Sequence, residues 1–375
     1  MDPWIVAAAE EIAALAPAQL KRFVAVSSPT GDVRGADAMV ALALELVPEG
    51  VRVERPACSS AGYANDLIVT LAGSGSGRAV LLGHVDTVHA HDEHRTLVRD
   101  GSRLIGSGSV DMKGGDVLAL GVLRALARRT DAFAEVALLL VCDEELRAGD
   151  FVHTERFAGY DACLCFEGGQ LTEEGAEAVV VRRKAAGTLR VLAHGRPAHS
   201  GSAPEQGANA LLALASAARS VAALHDPDGP ARLTAVPTVV RSGEVFNIVP
   251  AAGELLCDLR ADELHTFDTV LAGLPSAVDG VRLEADFLRR WPGMDSREAT
   301  AALLADAGER LGRPIHGTHR GGASDASYLA PVIAITVDGL GPRGGAAHTH
   351  AEYVVEASLR SRAEVALALV DAVLS

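Results

Sequence analysis

The chain is short of positive charge, of cysteine and of long apolar runs, and each shortage removes a class of function. Of its 375 residues, 34 are Lys or Arg and 49 are Asp or Glu, giving a formal charge of −15. Nucleic-acid binders draw most of their affinity from neutralised phosphates, so no nucleic-acid partner is expected. The five cysteines (Cys58, Cys142, Cys163, Cys165, Cys257) are odd in number and lack Cys-x-x-Cys spacing. That argues against a disulfide framework or a thiolate zinc site and leaves small, buried apolar residues as their reading. No apolar run reaches the ~18 residues of a membrane span, so no membrane association is expected. The N-terminal apolar stretch has no basic region before it and carries Glu10 and Glu11 at helical spacing, unlike a secretory leader; a cytoplasmic protein is expected. The Gly/Ser stretch 73–77 breaks from Gly-x-Gly-x-x-Gly at Arg78, which makes it a turn rather than a phosphate cradle.

What is present suffices for a large core: 49% of the residues are hydrophobic, and the length exceeds the ~100–200 residues typical of one domain. Helical patterns open the chain, with Pro3 at a first helical position, an interruption at Pro17, and a second amphipathic stretch at 36–47. Near-continuous apolar runs at 67–71, 80–84, 136–142 and 162–166, with a helical stretch at 114–129 among them, imply a mostly parallel sheet flanked by helices on both faces. From about 184 to 290 the pattern changes to strand, helix, two strands, helix, strand, the order of a ferredoxin-like α+β unit. Helical and strand-like patterns of the first kind then resume to the C-terminus. The expected fold is therefore an α/β domain formed by 1–183 and 291–375, interrupted by an inserted domain at 184–290.

Acidic and histidine residues follow several of the strand-like runs, where α/β sheets place their ligands. Gly83-His84-Val85-Asp86-Thr87-Val88 closes one run, and strand alternation puts His84 and Asp86 on one side. An imidazole with a carboxylate beside it suits a metal ligand held in orientation. Gly106-Ser107-Gly108-Ser109-Val110-Asp111-Met112-Lys113-Gly114-Gly115 precedes a helix, so Asp111 is either a carboxylate ligand at a tight turn or a helix N-cap. Asp143-Glu144-Glu145 ends another run. Such a triplet is either a solvated acidic loop or a ligand beside a general base. Glu167 follows a fourth run, and Gly344-Gly345-Ala346-Ala347-His348-Thr349-His350-Ala351-Glu352 brings two late histidines. Mixed imidazole and carboxylate ligation suits zinc, with cobalt or manganese as substitutes. His89, His91 and His94 read as a solvated loop.

Taken in order, these motifs resemble the dinuclear-zinc family that contains carboxypeptidase G, aminoacylase, acetylornithine deacetylase and succinyl-diaminopimelate desuccinylase. The resemblance spans nearly the whole chain and is closest to the carboxypeptidase G type. It implies two zinc ions per chain bridged by Asp111, one held also by His84 and Glu167 and the other by Glu145 and His348, with His350 a competing ligand. It further implies that Asp86 orients His84 and that Glu144 is the general base acting on a metal-bridging water. Gly195-Arg196-Pro197-Ala198-His199-Ser200-Gly201 resembles the family's dimerisation domain, so His199 is expected to reach the neighbouring subunit's oxyanion in a homodimer. Arg260, Asn247 and Gly322 match positions near substrate, Arg260 as a partner for a substrate carboxylate. The implied activity is cleavage of an amide or peptide bond next to an amino acid with a free carboxylate, in a small peptide or N-acyl amino acid. N-acyl-amino-acid deacylation is the alternative, ahead of a non-hydrolytic carboxylate-binding or amide-forming homologue. The chain departs from the family at Leu146-Arg147-Ala148-Gly149-Asp150, where a Gly/Ser-rich helix start is common, and at the Gly-Gly after Glu167.

Overall fold

A computed structural model describes residues 2–374, which pack as two units: one formed by 2–182, 295–319 and 324–374, the other by 183–294 and 320–323. The first unit is built on a six-stranded sheet in the order Arg52–Glu54, Leu67–Ala72, Phe133–Val141, Gly77–His84, Ala162–Cys165, Ile335–Val337. Gly77–His84 lies parallel to both neighbours, with His84 level with Val141 and Leu82 level with Cys165. Leu67–Ala72 is antiparallel to its neighbour. The parallel strands are Val- and Leu-rich because both faces are covered: Leu81, Leu82, Leu138, Leu139 and Leu164 are all fully buried. That shared register brings His84, the Asp143–Glu145 loop and Glu167 to one edge of the sheet.

The first helix, Pro3–Val24, is capped by Asp2, which accepts the Trp4 N–H at 2.7 Å. It does not break at Pro17, contrary to the sequence expectation. A proline mid-helix removes one hydrogen bond, but Ile12, Ala16, Leu20 and Phe23 bury a continuous stripe on either side of it, and the helix packs on Ser358–Leu374. A smaller sheet pairs Arg103–Ile105 antiparallel with Tyr353–Val355, so the loop leaving the former and the loop entering the latter emerge side by side.

The second unit is an antiparallel sheet ordered Thr234–Ser242, Ala252–Ala261, Ala185–His194, Val281–Trp291, Ala277–Val278. Helices Ala210–Ala222 and Thr266–Ala272 complete the βαββαβ order. Leu189, Val191, Leu214, Val221, Cys257, Leu259 and Phe267 form its core. All five cysteines are buried. No helix among the described residues is long and apolar enough to cross a membrane.

Candidate metal centre

Two groups of three side chains meet at the sheet edge of the first unit: His84, Asp111 and Glu167, and Asp111, Glu145 and His348. In each group the ligand atoms lie within 4.8 Å of one another. Asp111 belongs to both groups through different oxygens. Its Oδ1 is 3.2 Å from His84 Nε2 and its Oδ2 is 3.1 Å from His348 Nε2. Glu167 Oε1 lies 3.7 Å from His84 Nε2, and Glu145 Oε2 lies 3.2 Å from His348 Nε2. Imidazole and carboxylate donors converging in two clusters that share one carboxylate fit a pair of borderline-hard dications, zinc above all.

Each ligand is held by its own local structure. His84 ends its strand, and its Nδ1 donates to the Asp86 carbonyl at 3.0 Å, leaving Nε2 for the cluster. Asp86 is buried. It accepts the N–H of Glu144 and of Glu145, each at 3.1 Å, and the Thr30 hydroxyl at 2.7 Å. Asp86 thus holds the first histidine through its carbonyl and the acidic loop through its carboxylate. Asp111 is no helix cap: the helix Gly114–Leu126 starts three residues later, and Asp111 sits in an irregular turn with extended backbone angles. That turn lies against the end of the Glu167 strand, and a Cβ on Gly115 would stand 1.9 Å from the Phe166 carbonyl oxygen, so only glycine fits. His348 adopts φ +64°, a left-handed conformation that few non-glycine residues take.

Burial pushes Glu144 well above the carboxylate range, and the nearby charges of Asp325, Glu145 and Glu167 push the same way. Burial also raises Glu145. It would raise Asp111 too, but hydrogen bonds from His348 and His84 outweigh it and hold that carboxyl low. Hydrogen bonds to Asp111 and Glu145 lift His348 to about 11. The acids therefore draw positive charge into the cluster from whatever source supplies it.

Three parts of this surround were not read from the sequence. His89 is buried rather than solvated, and its Nε2 is 3.3 Å from Glu352 Oε2. Glu352, given no role in the sequence analysis, is buried and accepts three backbone N–H groups from the Asp111 turn. Arg147 is buried between two acids, donating to Asp143 at 3.0 Å and to Asp325 at 2.8 Å, over the rings of Phe151 and Tyr328. His350 stacks on His89, with ring centroids 6.3 Å apart, and is in neither ligand group.

The remaining candidates lie in the second unit. His199 is exposed, and its Nδ1 accepts the N–H of Gly201 at 3.1 Å and of Ser202 at 3.2 Å. Ser200 N–H donates to the Asn247 carbonyl at 3.0 Å, so those two loops are joined. Arg260 is paired with Asp258, at 3.0 Å from Nη2. The Gly322 carbonyl accepts from Arg183 at 2.8 Å.

Comparison with known proteins places the chain among relatives of one family. Residues 80–372 match the model of peptidase family M20/M25/M40. The chain is 27% identical over 372 residues to carboxypeptidase G2 of Pseudomonas sp. (strain RS-16), covering 94% of this chain and 87% of that protein. It is 28% identical over 303 residues to succinyl-diaminopimelate desuccinylase of Halorhodospira halophila (strain DSM 244 / SL1), covering 75% of this chain and 79% of the relative. In structure it is similar to an M20 family metallo-carboxypeptidase from Sulfolobus solfataricus, with a TM-score of 0.75, 14% identity, and coverage of 96% of this chain and 99% of that one.

Proposed function

The chain belongs to peptidase family M20/M25/M40 and is a hydrolase, and we propose that it is a cytoplasmic, two-zinc enzyme of the carboxypeptidase G kind. In this proposal it cleaves an amide or peptide bond next to an amino acid with a free carboxylate. The observation that carries the proposal is Asp111, whose two oxygens each face a different histidine. His84 and Glu167 complete one ligand set, and Glu145 and His348 the other, with zinc as the native metal and cobalt or manganese able to substitute. When bound, the ions supply Lewis acidity to the scissile carbonyl and lower the pKa of an adjacent water.

Glu144 takes the proton from the attacking water and passes it to the leaving nitrogen. Its burial favours this role, because a carboxyl raised toward neutrality both accepts and gives a proton at working pH. Asp86 holds the His84 ring and the backbone of the acidic loop. His199 stabilises the oxyanion that develops in the neighbouring subunit's site: with Nδ1 accepting two N–H groups, the ring proton sits on Nε2, where it can be donated. Arg260, Asn247 and Gly322 bind the substrate's carboxylate end, for which Arg260 exchanges its pairing with Asp258 for the ligand.

We read the enzyme as a homodimer through the inserted unit. The edge strand Thr234–Ser242 exposes Val236 and Val240, and the neighbouring helix exposes Leu212 at 62%. An open apolar edge of this kind favours pairing with a second copy. N-acyl-amino-acid deacylation is a second reading, favoured by the likeness to a desuccinylase. Product analysis by mass spectrometry tests both. Release of a C-terminal amino acid from peptides and acyl-peptides supports the first, cleavage restricted to simple N-acyl groups supports the second, and new amide formed from acid plus free amine would overturn both.

A further inference from the structure

The candidate ligands His84, Asp111 and His348 lie on three separate segments, and one buried residue on the His348 segment, Glu352, reaches the other two with its side chain. Glu352 lies at the entry to the strand Tyr353–Val355, which pairs with Arg103–Ile105. Its carbonyl accepts the Gly106 N–H at 3.0 Å, so the loop that leaves Ile105 is tied to it from the start. The Glu352 side chain then turns into that loop. Oε1 accepts the N–H of Val110 at 2.8 Å and of Asp111 at 3.0 Å, and Oε2 accepts the N–H of Gly108 at 2.9 Å. The fourth donor is His89 Nε2, at 3.3 Å from Oε2. His89 lies five residues past His84 on the same strand-end segment and is 4% exposed. Glu352 is itself four residues past His348.

We infer that Glu352 is a positioning residue for the metal centre, a buried carboxylate that sets the Asp111 turn and, with His89, locks it to the segments carrying His84 and His348. The inference rests on the proposed two-metal reading. Each Glu352 oxygen faces two donors, and a carboxylate has the four lone-pair sites that four donors require. Glutamine does not: its amide nitrogen is a donor, so it meets either the Val110 and Asp111 N–H groups or the Gly108 N–H, and at least one hydrogen bond becomes a donor-to-donor contact whichever way it is turned. Buried backbone N–H groups left without acceptors drive a local rearrangement, and the backbone they belong to includes Asp111 itself. His89 enters the same arrangement through its ring, since a side chain without a donor at Nε2 leaves the fourth site unfilled.

The test is zinc affinity, read by competition against a chromophoric chelator for wild type, Glu352→Gln and His89→Phe, with thermal melting of each metal-free protein and with kcat and KM determined separately. Partners behind metal ligands typically change affinity 10- to 100-fold. Glu352→Gln is expected to weaken at least one of two zinc sites by about tenfold or more and to lower kcat with little change in KM; His89→Phe is expected to weaken zinc at least about threefold. If Glu352→Gln does not fold, the His89→Phe affinity decides the matter on that same threshold. A variant that melts earlier yet binds both zinc ions as tightly as wild type would overturn the inference, because Glu352 would then serve stability alone. Failure of wild type itself to bind two ions would instead overturn the metal reading beneath it.

Discussion

The Glu144 backbone N–H donates to the Asp86 carboxylate across 3.1 Å, and that carboxylate also faces the His84 ring, with Oδ1 3.4 Å from Nδ1. A single buried acid therefore couples the candidate ligand of one strand to the candidate base after another.

Asp86→Asn disturbs both at once. The amide nitrogen must face either the Glu144 N–H or the N–H of Glu145 and hydroxyl of Thr30, so a donor meets a donor in either orientation. Zinc affinity is expected to fall about 10- to 100-fold, with a loss of kcat of at least about tenfold. Metal titration and steady-state kinetics measure the two effects.

Glu144→Gln keeps every proposed ligand and removes only the proton acceptor. The expected result is full zinc content with kcat lowered about 10²- to 10⁴-fold. Turnover equal to wild type would remove Glu144 from its assigned role.

Arg147 stands between Asp143 and Asp325, all three buried. Arg147→Met leaves two carboxylates without their cation and is expected to cost about 3–5 kcal/mol of stability in urea denaturation. Arg147→Lys restores the charge without the planar fork that spans both acids and is expected to recover part of the loss.

Asp116, on the helix Gly114–Leu126, is fully buried, and neither of its oxygens has a hydrogen-bond partner among the described residues. Burial pushes its carboxyl up to about 8. The folded chain thus keeps a proton that the unfolded chain releases near pH ~4. The associated stability is complete below that pH and is lost as pH rises through about 8. Asp116→Asn removes this dependence. Its melting temperature is expected to gain on wild type between pH 5 and pH 9, and a constant difference would contradict the assignment.

Much of the architecture is legible in the sequence because its signals are local. Runs such as Val136 to Val141 are apolar on both faces, and the βαββαβ order of the second unit follows from period changes along the chain. The five clustered residues His84, Asp111, Glu145, Glu167 and His348 are legible from their motifs, each at a strand end or beside a glycine-rich turn. Illegible were the interactions made by residues distant in sequence. His89 reads as part of a histidine-rich loop, because its partner Glu352 is 263 positions away. Arg147 reads only as a departure from a pattern, because Asp325 lies 178 positions on. Pro17 carries a strong local signal for a helix break, and tertiary packing overrides it.

The central claim is that paired metal ions on these five side chains hydrolyse an amide next to a free carboxylate. The most direct measurement is turnover of a panel of acyl- and peptidyl-amino acids, each compared with its C-terminal carboxamide, by the zinc-reconstituted chain before and after chelation. The account predicts cleavage of the free-carboxylate substrates, at least about tenfold weaker cleavage of the carboxamides, loss of activity on chelation, and recovery with two equivalents of zinc per chain. Cleavage that persists after complete metal removal, or no cleavage of any substrate by protein holding two zinc ions, would contradict it.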